Sequence, residues 1–185
     1  MARIPVVEPE DATGELKDVY ARIVAARGRI GNVWKVESLN PGVMGAHLDL
    51  YMAIMYGKSG LTRRQREMIA MTVSGGNGCH YCTTHHAEAL SAHLKDAALL
   101  HAIKTDYATA PIDRKERAML DYAVKLAKTP ATINDADVQK LRDAGLTDRD
   151  ILDATLITSY FCFVNRVVLG TGVELEPGAE RTYRY

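Results

Sequence analysis

The sequence predicts an all-α fold, and three observations carry that prediction. Apolar residues recur at three- and four-residue steps along most of the chain, the two-residue alternation of strands is scarce, and the intervening breaks hold residues that start and stop helices. With 185 residues, 47% of them apolar, a single domain over 1–185 buries a sizeable core. Within it, about 1–40 reads as an N-terminal arm and helix, about 40–130 as the core, and about 170–185 as a C-terminal tail.

The elements follow in order. In residues 15–23, Leu16, Val19, Tyr20 and Ile23 share one helix face, and residues 28–31, opened and closed by glycine, end that segment. A second helix, 43–56, carries Leu48, Leu50, Tyr51, Ile54 and Met55. Thr62 is placed to cap a third, whose stripe is Met68, Ile69, Thr72 and Val73. The run Ser74-Gly75-Gly76-Asn77-Gly78 reads as a break, and a fourth helix starts near Cys79 and reaches about Ser91. Residues 94–103, 113–128 and 135–143 give three more. Leu146-Thr147-Asp148 opens the last long helix, which runs to about Leu169 and stops at Gly170-Thr171-Gly172.

Charge excludes some functions. Lysine plus arginine equals aspartate plus glutamate, 23 each, for zero formal net charge, so the usual electrostatic argument for nucleic-acid or acidic-membrane partners is missing. The N-terminus lacks the basic and apolar regions of a signal peptide. The longest weakly polar run, 154–164, is shorter than the roughly 20 residues a spanning helix needs. A cytoplasmic protein with no nucleic-acid or membrane partner is expected. Three cysteines, an odd and low count, argue against a structural disulfide framework.

The chemistry concentrates in residues 67–86. On a helix beginning at Cys79, the three-residue step to Cys82 and the four-residue step to His86 place the side chains on one face. Two sulfurs so spaced can close a disulfide. Orphan N–H groups at the helix start, a neighbouring imidazole and the partner thiol all favour a thiolate. A thiolate beside a second thiol is what reversible peroxide chemistry requires, since a sulfenic acid forms and then condenses to a disulfide. Helix dipole alone makes Cys79 the more acidic thiol. Glu67, twelve residues earlier, is placed to orient His86 or pass protons, and its plain alternative is an exposed i,i+4 pair with Arg63.

Glu67, Cys79, Cys82 and His86, with residues 64–70, 73–77 and 81–86 around them, resemble the active-site pattern of the alkylhydroperoxidase D family, within the carboxymuconolactone decarboxylase-like superfamily, and most of all its peroxidase-related branch. Glu8-Pro9 to Gly14 and Phe163-Val164-Asn165-Arg166 extend the likeness more loosely. The resemblance implies an all-α helical bundle with a Cys-x-x-Cys at a helix N-terminus, assembled as a homo-oligomer, a trimer or hexamer. It implies a peroxidase reducing organic hydroperoxides or hydrogen peroxide, in which Cys82 becomes the sulfenic acid, Cys79 resolves it, and Glu67 and His86 relay protons. No bound cofactor is implied; an external dithiol reductant or adaptor protein is. The sequence departs from the pattern where well-studied members place a second relay histidine: Tyr81 stands there, preceded by His80, and both are candidate relay residues.

Other readings of the same residues are a general thiol–disulfide oxidoreductase, a non-catalytic redox sensor, or a zinc-stabilised module. Zinc needs a fourth ligand from His85 or Glu67. Haem attachment fails because Thr83 follows Cys82. His85 reads as packing or surface, Cys162 as an inert core thiol, Arg63, Arg64 and Arg66 as a solvated face, and Trp34 as core or interface, with a substrate entrance as the rival.

Overall fold

A computed structural model describes residues 2–177. It is all-α: among the described residues there are helices α1 (Gly14–Arg27), α2 (Asn32–Lys35), α3 (Pro41–Tyr56), α4 (Arg63–Gly76), α5 (His80–Ser91), α6 (Ala97–Asp106), α7 (Arg114–Lys128), α8 (Asp135–Asp143) and α9 (Asp148–Thr171), with short 3-10 turns at Pro9–Asp11 and Pro130–Thr132. Helix α4 lies at the centre and packs on α5, α7 and α9. Its Met68, Ile69, Ala70, Met71 and Val73 are all buried.

The helix starts follow from local chemistry. Thr62 accepts from the Gln65 N–H while the Gln65 side chain accepts from the Thr62 N–H, so two orphan donors of α4 are satisfied reciprocally. Thr147 and Asp150 repeat the device at α9. Asp96 caps α6 through the Leu99 N–H, so that helix begins at Ala97, three residues later than apolar spacing alone places it.

The expected break over 74–78 is narrower than the sequence indicates. Helix α4 continues through Gly76, leaving Asn77 and Gly78 as the turn. Gly78 is left-handed (φ 72°); its N–H bonds to the Gly75 carbonyl at 3.0 Å and the Cys79 N–H to that of Ser74 at 2.9 Å. This is a Schellman ending, and it delivers Cys79 directly to the N-cap of α5.

Helix α9 is, by length and composition, long and apolar enough to cross a membrane, and 56% of that stretch is buried inside the fold. The weakly polar run at 154–164 is therefore the middle of a core helix with a larger apolar extent. The arginine run is not a solvated face. Arg66 is buried and donates to the carbonyls of Leu61, Ile54 and Met55, which collects the unpaired end of α3. Arg63 donates to the same Met55 carbonyl and covers the Tyr56 ring. Of the predicted tail, residues 178–185 lie outside the described residues; 173–177 dock back on the protein through Glu176.

Candidate active site

Three helices build the site. The turn after α4 sets Cys79 at the N-cap of α5, and the first two turns of α5 then carry Cys82 and His86. Helix α4 supplies Glu67, and α9 crosses with Tyr160, Phe161 and Asn165. Cys79 is 0% and Cys82 4% exposed. Their thiols hydrogen-bond to each other, and the Asn165 side chain hydrogen-bonds to both. Asn165 is itself fixed, donating to Ser74 Oγ and accepting from Asn77 Nδ2, each at 3.0 Å.

The shared proton lies unequally. The hydrogen bond from Cys82 lowers the Cys79 pKa, burial opposes it, and the Cys82 backbone N–H and Asn165 add to the lowering. Donating to Cys79, burial and the neighbouring Cys79 charge raise Cys82 well above the ordinary thiol range. The first negative charge of the pair therefore sits on Cys79, as the helix start favours.

Glu67 is 0% exposed. One carboxylate oxygen meets His86 Nδ1 at 2.6 Å and the other pairs with the Arg63 guanidinium. Glu67 thus contacts both His86 and Arg63, and the pair with Arg63 is not the exposed one expected from the spacing. Burial pushes this carboxyl up; the His86 charge and hydrogen bond, then Arg63 and Arg27, outweigh it and hold the pKa below the ordinary value. The imidazole is thus oriented by an ionised carboxylate, with its other nitrogen left for the cavity in front of it.

That cavity holds about 530 Å³ of empty space, its open mouth included. Cys82 and His86 line it together with the rings of Trp34, Tyr51, Tyr160 and Phe161 and the buried Arg27. The Phe161 ring stands edge-on to His86, centroids 4.5 Å apart. Trp34 is both core and cavity wall. Cys79 is absent from the lining and lies behind Cys82.

The candidate relay residues part company. His80 is exposed and away from the thiol cavity, facing instead a groove with Arg3 and Leu175. Tyr81 is buried on the cavity and donates to Glu176 Oε1 at 2.8 Å. His85, expected in packing or at the surface, is buried and meets Glu176 Oε2 at 3.0 Å. Glu176 also accepts from the Asn32 N–H, so the tail is clamped onto α5 beside the thiols. With Glu67 and His85 so engaged, no group of three or more His, Cys, Asp or Glu among the described residues is arranged to hold a metal ion. Cys162 is half-buried rather than a core thiol, 3.7 Å from Asn77 Nδ2.

Burial pushes the Glu176 carboxyl up, but hydrogen bonds from His85, Asn32 and Tyr81 hold it at about 2 against an ordinary 4.5. A depressed carboxyl stabilises the fold above its unfolded pKa, and that stabilisation is lost as pH falls through the folded value. Between about pH 4.5 and about 2 the wild type should lose stability that Glu176→Gln never had. Urea unfolding of both across that window checks this; a constant difference between them would contradict it.

Residues to which the sequence alone assigns no role carry unequal signals. Asn165 lies in the quoted 163–166 stretch, and His47 occupies the Met44–Tyr51–Met55 face of α3, where a polar residue among buried ones invites attention. Glu176 reaches Tyr81 across 95 residues, with no local pattern to announce it.

A family model described as "Carboxymuconolactone decarboxylase family" matches residues 41–110, which span α3 to α6 and all four site residues. An uncharacterized peroxidase-related protein from Silicibacter sp. TM1040 is similar at 31% identity over 99% of this chain and 96% of that one, with a TM-score of 0.87. The chain belongs to the AhpD-like carboxymuconolactone decarboxylase superfamily. A second AhpD-like structure, an uncharacterized peroxidase-related protein from Ralstonia eutropha JMP134, is 29% identical over 99% of this chain and 98% of that one, TM-score 0.87. The debrominase Bmp8 shares the fold at 21% identity over 95% of this chain and 92% of that one, TM-score 0.79. No curated protein matches the sequence. Within this AhpD-like superfamily the Glu67, Cys79, Cys82 and His86 constellation sits in the matched segment.

Proposed function

We propose that the chain is a thiol peroxidase of small organic hydroperoxides or hydrogen peroxide. The observation that carries this reading is the placement of Cys82, on the cavity wall beside a carboxylate-bound imidazole and hydrogen-bonded to a second thiol behind it. Cys82 sulfur attacks the terminal peroxide oxygen as its proton passes to the Cys79 thiolate; an S–O bond forms and the O–O bond breaks. Cys82 becomes a sulfenic acid, the peroxide is reduced by two electrons, and one proton must reach the expelled oxygen to give the alcohol or water. Cys79 then attacks the Cys82 sulfur, closing the disulfide and releasing water. The His86–Glu67 pair moves protons through both steps. An external dithiol restores the thiols by exchange.

Burial of both thiols favours this over general thiol–disulfide exchange, because a folded protein disulfide has no approach to Cys82 while a small peroxide enters the cavity. The exposed Leu152, Leu156 and Phe163 of α9 support assembly into the homo-oligomer, a stripe that self-association would cover. The test is titration of thiols after one equivalent of cumene hydroperoxide. Two thiols lost per peroxide, restored by a small dithiol, fits the proposal; stable thiols sink it.

A further inference from the structure

A second carboxylate–imidazole pair stands on the same cavity and has no part in the cycle above. His47, buried on α3, meets both oxygens of Glu37 through Nδ1, at 2.8 and 3.0 Å, and the Tyr160 hydroxyl through Nε2 at 2.7 Å. The side chains of His47 and Glu37 are 1% and 9% exposed. Tyr160 lines the cavity with Cys82. Carboxylate, imidazole and phenol thus form a line of hydrogen bonds that ends on the space a substrate enters.

We propose that Tyr160, backed by His47 and Glu37, donates the proton that the expelled oxygen of the hydroperoxide requires. This rests on the peroxidase reading. Displacement at a peroxide oxygen is in line, so the leaving oxygen departs on the side away from the Cys82 sulfur. The His86–Glu67 pair lies on α5 and α4 with that sulfur, and Tyr160, on α9, brings a second proton-bearing group to the same cavity. As the O–O bond breaks, the Tyr160 proton goes to the departing alkoxide and the His47 Nε2 proton replaces it on the phenol. Glu37 stays ionised and holds Nδ1–H, as an orienting carboxylate does in other relays. The proton that left Cys82 goes by way of Cys79 into the water released when the disulfide closes, and one proton taken up from solvent restores His47, the same one proton by which the resting Cys79 thiolate falls short. Burial keeps the Tyr160 phenol protonated, its pKa raised well above the ordinary value, so it stands ready as a donor. A phenol serving only to tie α3 to α9 needs one hydrogen bond; the carboxylate behind the imidazole and the cavity in front of the ring go beyond that.

A general acid matters in proportion to how badly the leaving group needs a proton. tert-Butyl hydroperoxide expels a strongly basic alkoxide, while peroxyacetic acid expels a carboxylate that leaves unprotonated. In single-turnover sulfenic acid formation, Tyr160→Phe should lose about 100-fold with the alkyl hydroperoxide and stay close to wild type with the peroxy acid. His47→Gln, which keeps the phenol and cuts the relay, should show the same selectivity. The peroxy-acid reaction and helical circular dichroism report an intact fold. Equal losses with both oxidants in a folded variant, or no loss with either, overturn the inference and leave the peroxidase reading standing. A wild type that reacts with neither oxidant overturns that reading and this inference with it.

Discussion

Cys82→Ser is expected to abolish peroxide consumption, and Cys79→Ser to stop after the first step. The two outcomes differ because the thiols occupy different depths. Cys82 lines the cavity, and Cys79 lies behind it at the helix N-cap. The protein holds its first negative charge on Cys79, which would make that residue the nucleophile if acidity decided the matter. Access decides instead: Cys79 serves as the base that takes the Cys82 proton, and then as the thiol that resolves the product. In Cys79→Ser the base is weakened and the resolving sulfur is gone, so a slower first step leaves a persistent sulfenic acid at Cys82. Trapping with a cyclic β-diketone and locating the adduct by mass spectrometry reads this directly. An adduct on Cys79 in the Cys82→Ser protein, at the wild-type rate, would reverse the assignment.

Glu67→Gln should cost both activity and stability, and the two losses are separable. Without the carboxylate, His86 keeps a hydrogen-bond partner but loses the anion that orients it, a change worth about 10²–10⁴ in rate for a general acid–base group. The Arg63 guanidinium, whose side chain is 17% exposed, is left facing a neutral amide in a buried setting. Breaking a buried pair from one side costs about 3–5 kcal/mol. The double variant Glu67→Gln with Arg63→Met removes the stranded charge and should recover much of the stability with none of the activity. Urea unfolding and peroxide-dependent thiol loss, measured on both proteins, separate the effects. A double variant that regained wild-type activity would show that Glu67 only balances Arg63.

Much of this is legible in the sequence itself. Apolar periodicity located the long helices because their buried faces must repeat with the helix, and Thr62 and Thr147 marked starts because caps are local chemistry. The Cys79–Cys82–His86 spacing was readable for the same reason. What escaped was set by tertiary contact. Ser74 and Gly75 look like a loop in composition, yet they stay helical because α9 supports them through Asn165 and the Schellman bonds close at Gly78. Arg66 reads as solvated in the sequence because a charge is usually cheaper in water; here the carbonyls of Ile54 and Met55 at the end of α3, and of Leu61 beyond it, receive it. Glu176 and the Glu37–His47–Tyr160 line join residues from distant parts of the chain, and no spacing rule reaches that far.

The central claim is that Cys79 and Cys82 form a working redox pair behind a small-molecule cavity. Mass spectrometry after one equivalent of cumene hydroperoxide, with free thiols alkylated, tests it most directly. The account predicts a Cys79–Cys82 disulfide with Cys162 alkylated before and after oxidation. Cys79 and Cys82 both alkylated after the peroxide has been consumed, or oxidation confined to Cys162, would contradict it.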